Sequence, residues 1–456
     1  MRRPAGLIPT LARPTFRTPM PAQQIQVHIE HASPRAHYAV RTILEGMLGW
    51  SVRWVPDAKE FAAAEGPRLC YGTQAFDGAF HIVPAGLLNE EGIRKLEPEL
   101  SELEAVPVLF PVQAGHLPFD PFAAAFFQLT RYEELSGLPL DAIGRPLAAS
   151  MHASRQGYLH RPVVDEWALL MARAWKRFDA RVPAPHRSYR LVNTIDLDNG
   201  FKYLGRPLWR SVGSMARDVI RGAWAELPLR ISVLAGRRPD PFDIYKELRE
   251  QLSEGAERTI FFVLTAPRGP MDHAVPVEYK AYSECLRALA TWAEVGLHPS
   301  YGSSEDPQLT GIEKERLSRV LGRPISLSRQ HFLRFKLPDT YREMEKNGIG
   351  EEHSMGTHEQ LGFRAGTCTP FPWFDVLEDR ATELIVHPFA VMDNTLRHKL
   401  LLTPEQAVAA AAVLIEQVKA VGGTFTGLWH ESFLSRSAED APWRNAILRI
   451  IQLARP

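Results

Sequence analysis

The chain has 456 residues, longer than one ordinary core, and at roughly 150 residues per domain it reads as two or three domains. Hydrophobic residues make up 45% and charged residues 23%, the usage of a globular rather than a disordered protein. Fifty-three Lys and Arg balance 53 Asp and Glu, which excludes a global field drawing the chain to nucleic acid or an anionic membrane. The three cysteines, Cys70, Cys285 and Cys368, are far apart and form neither a CxxC pair nor a disulfide framework, as expected of a reducing compartment.

Residues 1–24 are an Arg- and Pro-rich leader without the continuous apolar stretch of a secretory signal, expected to be disordered. No run approaches the roughly 20 apolar residues of a membrane span, so a cytoplasmic protein is expected. Residues 25–135 alternate short β-rich runs (IQVHIEH, SVRWV, RLCYG, FHIVPAG, VPVLFPV) with helix-like segments, the pattern of a small α/β domain. In FDPFAAAFFQLTRYEEL, Phe122, Phe126, Leu129 and Tyr132 fall on one helical face and predict core packing. Residues 136–188 carry Pro and Gly punctuation around one helix, DEWALLMARAWKRF, and read as a connector.

From 189 to 456, strand-like runs recur with helical segments between most of them: YRLVNTIDLDNG, TIFFVLT, AEVGLHPS, PISLSRQHF, ELIVHPF and GGTFTGLWH. That alternation predicts a parallel α/β sheet, open or closed into a barrel. An insertion over 202–238 holds eight Lys or Arg against Asp218 and Glu226 and mixes Trp209, Val212, Met215, Val219 and Trp224 with Arg210, Arg217 and Arg221. The first reading is a solvated helix packing an apolar face on the domain; the second is peripheral contact with an anionic membrane.

In parallel α/β folds chemistry collects at the carboxyl ends of strands, and Asp196, Asp198, His298, Arg329, His331, His387 and His430 all lie at or near such ends. Asp196 and Asp198, two apart, point to one face of a strand, and two adjacent carboxylates call for a cation or a shared proton. A turn signal in DNG is the plain alternative for Asp198. Alternation places Arg329 and His331 on one wall, while Pro299 and Gly302 turn the chain after His298. His353 and His358, five apart, lack the spacing of HExxH and read as a loop near the mouth of the site. Met392 and Asp393 follow a strand, with substrate contact or a helix cap for Asp393 equally open. There is no GxGxxG or GxxxxGK[ST], which disfavours dinucleotide and P-loop chemistry.

The order TIDLD, GLHPS, SRQHF, GFRAGTCTPF, LWH resembles a divergent polysaccharide deacetylase of the carbohydrate esterase family four superfamily, over roughly residues 189–456. The part before it resembles an extra domain that precedes such domains in some bacterial proteins. The resemblance implies a distorted (β/α) barrel of about seven strands and one divalent metal, usually zinc, in a hydrolase of carbon–nitrogen bonds that deacetylates N-acetylated sugars. It implies Asp196 as base and Asp198 and His298 as metal ligands. The family's second histidine is replaced by Gly302, and His331 is the candidate substitute, giving Asp, His, His. Arg329 or Arg364 would orient the base and His430 would be the general acid. Leu428, with Trp429, Trp373 and Phe374, would line the substrate pocket. A non-catalytic carbohydrate-binding protein that has lost the metal, or an amidohydrolase acting on a linear amide or ureide, are the alternatives.

Overall fold

The computed structural model describes residues 24–456 except 208, 210, 211, 216–219, 221, 223 and 225. The leader expected over 1–24 thus lies outside the described residues apart from Gln24, as do Arg210, Arg217, Val219 and Arg221 of the basic insertion. Of that insertion's apolar residues, Trp209, Val212, Ile220 and Trp224 are exposed rather than packed on the sheet. No helix among the described residues is long and apolar enough to cross a membrane.

The first strands are short, and the inner ones are buried on both faces while the edge strand Val52–Trp54 is not. They are β1 (Ile25–Ile29), β2 (Val52–Trp54), β3 (Arg68–Tyr71) and β4 (Phe80–Ile82), and they form a four-stranded parallel sheet in the order β2-β1-β3-β4. An antiparallel pair, β5 (Leu100–Leu103) and β6 (Val106–Leu109), follows. The helix Pro121–Leu129 is buried along its whole length. Asp120 caps it by accepting from the backbone N–H groups of Phe122 and Ala123 and also accepts from the Tyr71 hydroxyl at 2.8 Å. The helix within 136–188, Val163–Phe178, belongs to this core: Trp175 stacks on Phe80 and meets Trp50 edge-on.

The second sheet is β7 (Arg190–Leu197), β8 (Arg258–Leu264), β9 (Glu294–His298), β10 (Leu327–Ser328), β11 (Glu351–Glu352), β12 (Phe371–Asp375), β13 (Arg380–Val386), β14 (Val391–Met392) and β15 (Thr424–His430). Its order is β12-β13-β11-β10-β9-β8-β7-β15-β14, parallel except for β12 against β13. Among the described residues the pairing runs from one edge strand to the other of a mixed, nine-stranded sheet, which shares its parallel α/β part with the distorted (β/α) barrel of about seven strands expected. The chain itself joins the two ends: residues 387–390 lead from β13, which pairs with β11, into β14, which pairs with β15.

Period-two alternation decides which residues reach each face. Leu191, Ile195, Leu197, Phe261, Val263, Val295 and Leu297 pack under the helices Lys280–Leu289, Pro307–Leu321, Pro404–Ala420 and Ala441–Leu453. The other face starts as a small apolar cluster, Val192, Ile260, Phe262 and Leu327, and becomes polar toward the strand ends. Gly296 is needed there, since a Cβ at that position would come within 2.7 Å of the Phe262 ring and 2.9 Å of Leu327. The two halves of the chain meet through the Tyr38 hydroxyl donating to the Pro372 carbonyl and through Arg364, which pairs with Glu134 at 2.7 Å.

Candidate active site

Asp196 ends β7 opposite His430 of β15 in register, so an acid and an imidazole arise side by side from backbone pairing alone. Arg329, fully buried, donates from Nη1 to Asp196 Oδ1 at 2.8 Å and from Nε to the His353 carbonyl at 2.9 Å. The guanidinium lies over the Phe262 ring, which fixes its plane from below.

Two imidazoles face Asp198 through equivalent atoms. His298 Nδ1 lies 2.5 Å from the Arg329 carbonyl, which can only accept, so Nδ1 carries a proton and Nε2 is turned inward. His331 Nδ1 is 2.8 Å from Asp272 Oδ1, which turns its Nε2 the same way. These nitrogens stand 3.3 Å and 3.8 Å from Asp198 Oδ1, an atom that is buried and has no hydrogen-bond partner. One ligand atom from each of Asp198, His298 and His331 fits within 4.8 Å. An orphaned carboxylate oxygen facing two inward ring nitrogens, each ring held from behind by an acceptor, is the donor set and outer support of a divalent-metal site. Burial opposes the Asp198 charge, but His298, His331 and His430 outweigh it and hold the carboxyl well below its usual range.

The backbone beside His331 is unusual. Phe332 and Leu333 both have positive φ, 60° and 55°, a sharp reversal for non-glycine residues. Arg145 holds it by donating to the Phe332 carbonyl at 2.9 Å.

His430 is tied at two points to Asp393, which accepts from its Nδ1 and its backbone N–H, both at 2.6 Å. Burial disfavours its charge, yet Asp393, with Asp198 and Asp196, raises its pKa to about 10, so the ring carries a proton near neutrality. Its Nε2 is 3.9 Å from Asp198 Oδ2. Glu431, fully buried, accepts from the backbone N–H groups of Asp198 and Asn199 and pins the turn after β7. Burial first, then Asp198, pushes its carboxyl up to about 7.

Asp196, Asp198, His298, His331 and His430 line a cavity of about 560 Å³, the size of a small-ligand pocket. Leu428, Met392 and Leu333 form an apolar wall with Phe389 beside them. Asp141, Ile143 and Arg145, from the segment read as a connector, also line it. A larger cavity of about 810 Å³ lies beside the basic insertion, lined in part by Trp209, Tyr279 and Arg316; its lining includes no histidine among the described residues.

The structure therefore brings Asp196, Asp198, His298, Arg329, His331, Leu428 and His430 to one place. It does not bring Trp429, Arg364, Trp373 or Phe374 there. Trp429 alternates with Leu428 and is buried on the helix-covered face. Arg364 turns away to Glu134, so Arg329 alone of the two arginines reaches Asp196. Trp373 and Phe374 lie on β12, Trp373 against Tyr341 and Phe374 against Tyr38 and Phe126 in the core shared with the first sheet. Gly302 sits in the turn Tyr301–Ser304 outside the cavity lining. Of the loop histidines, His358 lines the cavity and His353 is buried beneath it. Sequence reasoning missed Asp272, Glu431 and the pairing role of Asp393; only the neighbours of Glu431 and Asp393 in LWHES and VMDN gave any local signal.

Residues 25–179 match a family of unknown function, DUF7033. No curated protein matches the chain. Among solved structures, the chain is similar to a putative polysaccharide deacetylase from Mycobacterium smegmatis (15% identity, 58% of this chain, 84% of that one, TM-score 0.38). It is also similar to a 4-alpha-glucanotransferase from Thermococcus litoralis (12%, 59% and 37%, TM-score 0.34) and to an allantoinase (12%, 58% and 84%, TM-score 0.37). These scores are too low to assign a chemistry, and the three neighbours differ in theirs.

Proposed function

We propose that this protein is a metal-dependent hydrolase that removes an acetyl group from an N-acetylated sugar or polysaccharide intermediate. The observation that carries the reading is the orphaned Asp198 Oδ1 facing the Nε2 atoms of His298 and His331, with an Arg-held carboxylate and a carboxylate-held imidazolium side by side next to it. Asp198, His298 and His331 would hold one divalent metal, most simply zinc, which supplies Lewis acidity toward the amide carbonyl and lowers the pKa of water. Asp196 accepts the proton of the attacking water, and Arg329 keeps its carboxylate aimed. His430 donates its proton to the nitrogen of the breaking C–N bond, since an amine leaves poorly unless protonated. Asp393 holds the ring in the donating orientation. Leu428, Met392 and Leu333 offer a dry seat for the acetyl methyl group.

A base and an acid both adjoining one ligand set support catalysis over the carbohydrate-binding alternative, which requires neither. The test is incubation of zinc-loaded protein with N-acetylated oligosaccharides, assaying acetate and free amine. Equal release of both is expected. Saturable sugar binding with no acetate released would replace the enzyme reading with the binding one.

A further inference from the structure

A second histidine–carboxylate group lies one layer below the site. Glu351 and His353, two apart on and just after β11, point to the same face, and His387 joins them as β13 ends, its backbone N–H donating to the Glu352 carbonyl at 2.7 Å. The His353 and His387 rings stack at 4.3 Å and 11°, which turns both Nε2 atoms to one oxygen. His387 Nε2 is 3.0 Å and His353 Nε2 3.6 Å from Glu351 Oε2, and one ligand atom from each residue fits within 4.8 Å. His353 is completely buried, yet neither of its ring nitrogens has a hydrogen-bond partner, and His387 Nε2 has none of good geometry. Buried polar atoms are left this way at a cost unless something completes them.

We propose that Glu351, His353 and His387 form a second, structural site for a divalent metal, of the ligand type that suits zinc. The carboxylate has its outer support: Arg258 donates to Glu351 Oε2 at 2.6 Å while holding Glu294 with its other nitrogens, as ligating carboxylates are commonly held. Glu351 and His387 keep 24% and 13% side-chain exposure, so an ion and a completing water can enter past them. The site also bears on the upper one, because the His353 carbonyl accepts from Arg329, the group that holds Asp196.

Elemental analysis of the full chain after zinc loading and gel filtration tests this, with fold checked by circular dichroism. Wild type is expected to hold about two zinc ions, Asp198→Ala about one, His387→Ala about one and the double variant close to none. Wild type with one ion that Asp198→Ala removes completely would overturn the second site and leave the first. Loss in His387→Ala with none in Asp198→Ala would do the reverse, sinking the upper site. If His387→Ala does not fold, cobalt titration of Asp198→Ala decides: one equivalent with visible d–d absorption is expected, and no such band means the lower group holds a proton rather than a metal.

Discussion

The two histidine–carboxylate groups use the same ligand types from neighbouring strands, and what separates them is what stands around each. Asp198, His298 and His331 face a cavity of about 560 Å³, with a carboxylate and an imidazolium beside them. Glu351, His353 and His387 have Phe262 packed on His353, with the Arg258–Glu294 pair beneath. Ligand identity alone therefore does not make a reactive centre; an adjacent base, an adjacent acid and room for a substrate do. Glu134 marks the other limit. Burial opposes its charge, but Arg364 and Arg131 overcome that and hold its carboxyl down at about 2, so its lone pairs are spent on guanidinium groups.

The largest expected effect separates the upper group from the lower. Asp196→Asn should lower turnover by roughly 100- to 10,000-fold with zinc content unchanged, as measured by acetate release beside elemental analysis. An unchanged rate would leave the upper group no more than a binding site. Next comes the limiting case of Glu134. Its folded pKa lies below the ordinary 4.5, so its stabilisation is present above about pH 4.5 and is lost as pH falls toward 2. The difference of 4.5 − 2 units corresponds to on the order of 3 kcal/mol. Glu134→Gln should therefore lose about that much at pH 7 in urea unfolding and flatten the acid limb of the stability curve; parallel curves would contradict the pairing.

A smaller effect probes the support behind His331. Asp272→Asn should weaken zinc binding at the upper group by about 10- to 100-fold in competitive chelator titrations and leave the lower group untouched. Equal weakening at both would mean the two are not independent. The smallest concerns the rim. Arg145→Ala frees the Phe332 carbonyl and should raise KM a few-fold, about 1 kcal/mol, with kcat nearly unchanged. A fall in kcat alone would move Arg145 into the chemistry.

Much of the site was legible in the sequence because period-two alternation and strand ends are local properties. Asp196, Asp198, His298, Arg329, His331 and His430 were readable by that rule, and each lines the cavity except Arg329, which holds Asp196 from behind; His387, picked by the same rule, lies in the lower group, and Leu428 was implied only by the resemblance. The same rule, unused, would have turned Trp429 away, since it neighbours Leu428 on a strand. Asp272 was hidden because its partner is 59 residues away and its own segment has no periodicity. Arg364, Trp373 and Phe374 looked available because nothing local shows that Glu134, Tyr38 and Phe126 lie against them. The helix Val163–Phe178 read as part of a connector because its Trp-rich face finds its partners, Phe80 and Trp50, far back in the chain.

His331 is proposed to take the place of the ligand that the family resemblance expects at Gly302 and so to complete the metal centre. The most direct measurement is acetate release by protein stripped with a chelator and titrated with zinc, wild type beside His331→Ala. Wild type should regain activity at stoichiometric zinc, while His331→Ala should need far more zinc or stay inactive. Activity that survives stripping, or a His331→Ala variant restored by the same zinc as wild type, would contradict it.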